Sequence, residues 1–413
     1  MLAWARRLGN LVRRRILFVT ENITLAQVVR LTTLAQALPQ DLYEVHFACS
    51  DFDPLVFGGT EFQRWPLFTI DREQGFKALA KGERMYDVKT LERYVADELR
   101  VLDEVKPAVV IGDFRLSLAV SAPLRGVHCG SLINAYWSPY AVREKWPVPD
   151  HPIVRLVGVE RAEKYFPQAL PKVFGHFAAP LNSVRKRHGL PEFETLSHQL
   201  CFGDSVLYPD IPELCPLSPD APASHHYLGA VQWSPRVAAP QLAGDAALPM
   251  VYVTLGSSGD VAALPTVLEG LDGLPIRGVL ATAGRAAPAR VPANFQVADF
   301  VPGELLSSQA LFVVTNGGSS TGYQALAAGV PVLGIPSNLD QYLAMQAITG
   351  AGAGITLRSG GLTKDEVRRA ALRLLDSRPT KRAAETLASH FSAYNCHERF
   401  QNWLSNLLEG QAE

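Results

Sequence analysis

Between Leu311 and Ala347 the chain reads LFVVTNGGSSTGYQALAAGVPVLGIPSNLDQYLAMQA, and this stretch constrains the fold more than any other. Leu311 to Thr315 is a β-branched and aromatic run of buried-strand type, broken at once by Asn316-Gly317-Gly318, residues that tolerate positive φ. Ser319, Ser320 and Thr321 are N-cap residue types, and Tyr323 to Ala328 keeps apolar residues at helical spacing until Gly329 and Pro331 end it. A strand, a glycine turn and a capped helix bring free backbone N–H groups and the positive end of a helix dipole to one spot, with no side chain to hold an anion off. That is a seat for a phosphorylated ligand. Val330 to Ile335 reads as the next strand, and Pro336-Ser337-Asn338-Leu339-Asp340-Gln341 as a polar loop beyond its carboxyl end, where open α/β sheets bind ligands.

The same alternation runs through the rest of the chain. Ile16 to Thr20, Tyr43 to Cys49, Ala108 to Gly112 and Cys129 to Ile133 are strand candidates, with helical patterns at Leu25 to Leu38, Leu91 to Val105 and Leu116 to Leu124. Phe202 to Tyr208 and His226 to Val231 complete a first series, and strands at Val251 to Leu255, Gly278 to Ala281 and Phe295 to Phe300 open a second, with a helix around Leu264 to Leu271. Strands alternating with helices imply parallel sheets, and 413 residues exceed what one core usually holds. The expected organisation is a basic extension over 1–15, an α/β domain over 16–232, a Pro/Ala/Gly-rich linker over 233–248, a second α/β domain over 249–380 and terminal helices over 381–413. The segments 57–87 and 136–190 are irregular, rich in aromatics and prolines, and suited to a binding pocket built over a rigid sheet.

Charge and cysteines exclude several classes. A net charge of −1 gives no footprint for nucleic acid. The five cysteines are scattered without CxxC spacing, which predicts neither a disulfide framework nor a zinc site and suits a reducing, cytoplasmic setting. No apolar run reaches the roughly 18 to 20 residues of a spanning helix. Residues 1–15 mix Leu2, Trp4, Leu8 and Leu11 with five arginines, so a peripheral membrane contact stands beside the blander reading of a loosely packed extension, which Gly9-Asn10 favours.

Over TNGGSSTGYQALAAGVPVLGIPSNLDQ the chain resembles the family 1 glycosyltransferases, in which a glycine turn, a Ser/Thr-capped helix, a GVP strand and an Asp-Gln pair occur in this order. The resemblance implies the GT-B fold: two facing Rossmann-like domains with parallel sheets, the acceptor in the first, a nucleotide sugar in the second, and a C-terminal helix crossing back. It implies an inverting transferase using a UDP- or TDP-sugar as substrate, with no cofactor and no metal. Carried over by position, Gly256, Ser257 and Ser258 meet the diphosphate together with Asn316, Gly317, Gly318, Ser319, Ser320 and Thr321. Phe300 and Val301 flank the base, and Asp340 and Gln341 hold the sugar. Asn316 stands where the family usually has His, and Gln324 where it usually has a ribose-binding Glu; both still hydrogen-bond but carry no charge. For Asp340 the competing reading is a helix N-cap.

Other assignments stay open. Tyr136, Trp137, Tyr140 and Trp146 lie in NAYWSPYAVREKWPVP as an aromatic wall for an acceptor or as a cover for the sheet. Asp51-Phe52-Asp53 has the DxD form of metal-dependent transferases, but a strand-end turn fits its place better. The family's catalytic His falls on Gln27, which cannot serve as a base. Three readings follow: Asp113 as base, Glu21 as base, or an acceptor that needs little activation. His151 is the one histidine in acceptor territory. The resulting expectation is sugar transfer to a small lipophilic or aromatic acceptor; the missing His leaves a non-catalytic sugar-nucleotide-binding partner as the rival, with a nucleotide-sugar epimerase behind it.

Overall fold

The computed structural model describes residues 13–81, 83–242 and 245–411. Most of the basic extension, including the membrane-contact reading, therefore lies outside the described residues; Arg14 and Arg15 already belong to the first strand.

Two parallel sheets form. The first contains β1 (Arg14–Thr20), β2 (Tyr43–Cys49), β3 (Gln63–Pro66), β4 (Val109–Asp113), β5 (His128–Leu132), β6 (Ser205–Tyr208) and β7 (His225–Tyr227), in the order β3-β2-β1-β4-β5-β6-β7. The second contains β8 (Met250–Thr254), β9 (Arg277–Ala281), β10 (Phe295–Ala298), β11 (Ala310–Thr315), β12 (Val332–Gly334) and β13 (Gly354–Thr356), in the order β10-β9-β8-β11-β12-β13. In both, the order reverses beside the first strand of the series, and that reversal opens a crevice at the carboxyl ends of the strands. This is the GT-B arrangement the resemblance implied.

The central strands are apolar on both faces, as strands covered by helices on each side must be. Val109, Val110 and Ile111 of β4 and Val313 and Val314 of β11 are 0% exposed. The terminal segment forms two helices, Arg378–Ser392 and Cys396–Gly410. The first packs on the second domain, where Phe391 meets Tyr323 at 5.4 Å between ring centroids. The second returns to the first domain and sets Phe400, Trp403, Leu404 and Leu408 among Ile16, Phe18 and Phe47. Gly130 of β5 makes room for it, since a Cβ there would lie 3.1 Å from the Trp403 ring. Among the described residues no helix is long and apolar enough to cross a membrane.

The segment 136–190 differs from its irregular reading. Most of it is one helix, Val159–Arg187, with Pro167, Pro171 and Pro180 inside, preceded by the short helix Pro152–Val157. Asp51 and Asp53 are turn-formers: Asp51 accepts the Phe52 N–H at 2.8 Å, and Asp53 caps the short helix Pro54–Phe57 by accepting the Leu55 N–H at 2.8 Å.

Candidate active site

A cleft of about 1360 Å³ runs between the two domains, walled by the carboxyl ends of both sheets. Its floor on the second domain is made by backbone. After β11 the chain turns through Gly317 at φ +81°, where a Cβ would come within 2.7 Å of Met345 Cγ. The helix Ser319–Ala327 then starts with Gly318 as its N-cap and no side-chain cap. This corrects the expectation of a hydroxyl cap. Ser319 instead points its hydroxyl across the cleft to Asn134 Oδ1 at 3.4 Å. The first-turn amides of Ser319, Ser320 and Thr321 are thus left without intrahelical partners, and all three residues line the cleft with Gly318. Gly317 itself shapes the turn without lining it.

Asn316 ties this turn to the loop after β8. Its Nδ2 donates to Ser258 Oγ at 3.2 Å while its Oδ1 accepts the Gly318 N–H at 3.0 Å. Gly256 at φ +58°, Ser257 and Ser258 form the facing side of the seat. Arg285, which motif reading missed, donates to the carbonyls of Gly259 at 2.8 Å and Gly256 at 3.3 Å and brings a guanidinium to the same corner. Phe300 and Val301 line the cleft beyond it. Gln324 also lines it, with its Nε2 donated to the Trp233 carbonyl at 2.7 Å and its Oε1 fitting over Gly303, where a Cβ would lie 2.8 Å away.

Asp340 and Gln341 open the helix Leu339–Gly350, whose cap is Asn338, accepting the Gln341 N–H at 3.1 Å. The N-cap reading of Asp340 is thereby excluded. Asp340 is exposed in the cleft, whereas Gln341 is 2% exposed, with its amide spent on Ser337 and the Ser258 carbonyl.

On the first-domain side the four loop aromatics part company. Trp137 lines the cleft. Tyr136 is 5% exposed, and its hydroxyl meets Asp340 Oδ1 at 3.1 Å. Trp146 packs behind Trp137 at 6.1 Å and edge-on to Phe174 at 4.9 Å, and Tyr140 stands edge-on to His225 at 5.3 Å. The apolar wall comes instead from the helix Val159–Arg187, through Phe166, Val173, Phe174, Phe177 and Leu181, which share one helical face. Phe114 completes it at φ +52°, an uncommon conformation for a bulky residue, just past the end of β4.

Neither expected base lines the cleft. Asp113 is 0% exposed and receives Arg30 Nε at 2.9 Å and Nη2 at 2.8 Å; burial pushes its carboxyl up to about 6 against the pull of that guanidinium. Arg30 reaches on to Asn134 Oδ1 at 2.8 Å and lines the cleft. Glu21 is 0% exposed, raised by burial, and held by the hydroxyls of Tyr86 at 3.0 Å and Tyr94 at 3.2 Å with Arg115 3.8 Å away. Gln27 does line the cleft, its Oε1 accepting the Thr24 N–H at 3.0 Å in a capping box. His151 lines it too, but its Nδ1 accepts the Ile153 N–H at 3.2 Å, so the neutral ring carries its proton on Nε2 and presents a donor there.

The domains are clasped at the rim by Asp150. Its carboxylate takes Arg358 Nη2 at 2.5 Å, the Gly360 N–H at 2.8 Å, Ser359 Oγ at 2.9 Å and the Tyr342 hydroxyl at 3.1 Å.

Residues 257–404 match the family model described as "Erythromycin biosynthesis protein CIII-like, C-terminal domain". Over 387 residues the chain is 46% identical to a "PGL/p-HBAD biosynthesis rhamnosyltransferase" of Mycobacterium bovis (strain BCG / Pasteur 1173P2), covering 92% of this chain and 84% of that protein. It is 44% identical, also over 387 residues, to a "PGL/p-HBAD biosynthesis glycosyltransferase" of Mycobacterium tuberculosis (strain ATCC 25177 / H37Ra), covering 92% of this chain and 89% of that one. Among solved structures, a spinosyn forosaminyltransferase superposes with a TM-score of 0.68 at 20% identity, over 97% of this chain and all of its own.

Proposed function

The chain belongs to the family 1 glycosyltransferases of natural-product type, and from that premise we propose that this enzyme moves rhamnose or a related hexose from a UDP- or TDP-sugar to a small lipophilic or aromatic acceptor, with inversion and without a metal. One observation carries the reading: the amide-lined anion seat and the Phe166–Phe174–Phe177 wall face each other across one cleft, with Asp340 between them. A sugar carbon held there by its diphosphate is open to attack from the opposite wall, and a single displacement inverts it. The negative charge growing on the leaving diphosphate falls to the amides of Ser319 to Thr321 and to Arg285. Phe300 and Val301 pack the base, and Asp340 accepts from the sugar.

For acceptor activation the third reading is the one the geometry favours. Asp113 is spent on Arg30, and Glu21 is enclosed by two tyrosines and Arg115. An acceptor hydroxyl that ionises readily needs neither.

The test is calorimetric titration of UDP, TDP and their glucose and rhamnose conjugates, then mass spectrometry of a mixed phenolic and polyketide acceptor pool with the donor that binds. Micromolar binding and a mass gain of one sugar are expected, with rates rising as the acceptor hydroxyl becomes more acidic. Asp340→Ala should end donor use and leave nucleoside diphosphate binding intact. Binding without transfer to any acceptor would sink the proposal.

A further inference from the structure

Asp340 belongs to the second domain, yet its carboxylate is held from the first. The Trp137 Nε1–H donates to Asp340 Oδ1 at 2.8 Å and the Tyr136 hydroxyl donates to the same oxygen at 3.1 Å. Both donors sit on one tight turn, Ala135–Trp137, just past β5. That turn is fixed: the Ala135 N–H donates to the buried Asp210 at 2.7 Å, Asn134 Nδ2 donates to the same carboxylate at 3.1 Å, and the Trp137 N–H closes on the Asn134 carbonyl at 2.9 Å. Asp210 is in turn bonded by Tyr323 of the second domain. Nothing in Asp340's own helix orients its side chain, because Asn338 is the cap.

The other oxygen, Oδ2, takes no hydrogen bond among the described residues. The adjacent Gln341 offers little: its Oε1 accepts the Ser337 N–H at 2.9 Å and hydroxyl at 3.1 Å, and its Nε2 donates to the Ser258 carbonyl at 3.3 Å. One carboxylate oxygen, aimed by two aromatic donors, is thus what this corner presents to a substrate.

We propose that Trp137 and Tyr136 are positioning residues for the donor sugar: by occupying Asp340 Oδ1 they aim Oδ2 at a single sugar hydroxyl, so that the acceptor domain sets which sugar the donor domain accepts. The inference rests on the sugar-transfer reading above. The nucleoside diphosphate is gripped by the second domain's own backbone and does not depend on this contact. The sugar does. Trp137 therefore acts on the donor rather than as a wall for the acceptor.

The experiment compares Trp137→Phe, Tyr136→Phe and the double variant with the unaltered protein. Each is titrated with UDP, TDP and the corresponding rhamnose and glucose conjugates, and donor and acceptor KM are measured with whichever pair turns over. Phenylalanine keeps the ring and removes the donor, so melting curves should move little. The expected result is an unchanged affinity for the nucleoside diphosphate, a fall of fivefold or more in the extra affinity contributed by the sugar, a raised donor KM and an unchanged acceptor KM, greatest in the double variant. A rise in acceptor KM with the sugar's contribution intact would overturn the proposal and return Trp137 to the acceptor wall. Parallel weakening of diphosphate and sugar nucleotide would overturn it in favour of a contact that only holds the domains together. An unaltered protein that binds nucleoside diphosphate but gains nothing from the sugar removes the proposal and leaves the anion seat standing; one that binds no nucleotide at all removes the reading beneath it.

Discussion

The two walls of the cleft are made of different materials. On the side proposed for the donor the anion seat is made chiefly of backbone: a turn at Gly317, an uncapped helix start and the loop at Gly256, all close in sequence to the ends of β8 and β11. The side proposed for the acceptor is made of side chains from distant elements: Arg30 from the helix Leu25–Gln36, Phe114 from the end of β4, and three phenylalanines from the helix Val159–Arg187. A backbone site fails all at once when its geometry is lost, because every amide is placed by the same few dihedrals. A side-chain site fails piece by piece.

The largest effect should therefore come from the turn. In Gly317→Val a β-branched residue is forced to φ +81° with its Cβ against Met345, at a cost of about 2 kcal/mol or more in stability. Nucleoside diphosphate binding should drop beyond calorimetric detection, while an acceptor analogue still binds. Joint loss of both in a folded protein would break the contrast between the walls. Next comes the rim. Asp150→Ala removes the partner of Arg358 and three further donors across the domain boundary, and is expected to lower stability by roughly 2 kcal/mol in urea unfolding. A cooperative transition that splits into two would show that this clasp joins the halves; one that merely shifts would show that the Asp210–Tyr323 contact suffices. On the acceptor wall, Phe174→Ala should raise acceptor KM about tenfold and leave donor affinity within twofold, since a partly exposed ring contributes little beyond its own contact. An equal effect on the donor would mean that the walls are not independent.

The same difference decided what could be read from the sequence. The glycine turn and helix start at the cleft were legible because their residues are contiguous and sit at a strand end. Even there the hydroxyl cap was misplaced, since Gly318 rather than Ser319 takes the cap position and Ser319 turns to Asn134. The acceptor wall was hidden by three prolines: Pro167, Pro171 and Pro180 read as breakers, yet the helix runs through them, and Phe166, Phe174 and Phe177 keep helical spacing beneath. β3, with the pattern QRWP on an exposed edge, had no apolar run to announce it. Strand ends placed Glu21 and Asp113 correctly at the top of the sheet, but their lockup by Arg115 and Arg30 is pairing across 94 and 83 positions, and no local pattern encodes it. Arg285 was missed for the same reason, since only the fold sets it beside Gly256.

Asp113 allows the finest test of the division, because it sits behind the acceptor wall and reaches the cleft only through Arg30. Its carboxyl titrates in the folded protein near 6, above the unfolded value of about 3.9. The native state therefore binds this proton more readily than the unfolded chain does. The group's contribution to stability is full below the unfolded value and is lost as pH rises through the folded one. Between pH 7.5 and pH 5 the unaltered protein should gain about 1 kcal/mol over Asp113→Asn, read as the difference in urea unfolding free energy at the two pH values. Over the same interval protonation weakens the hold on Arg30, so transfer should decline by a few fold with a midpoint near 6 in the unaltered enzyme and not in the variant. If the limb persisted unchanged in Asp113→Asn, another group would be titrating, and the three-sided hold on Arg30 by Asp113 and Asn134 would be packing rather than part of the acceptor wall's chemistry.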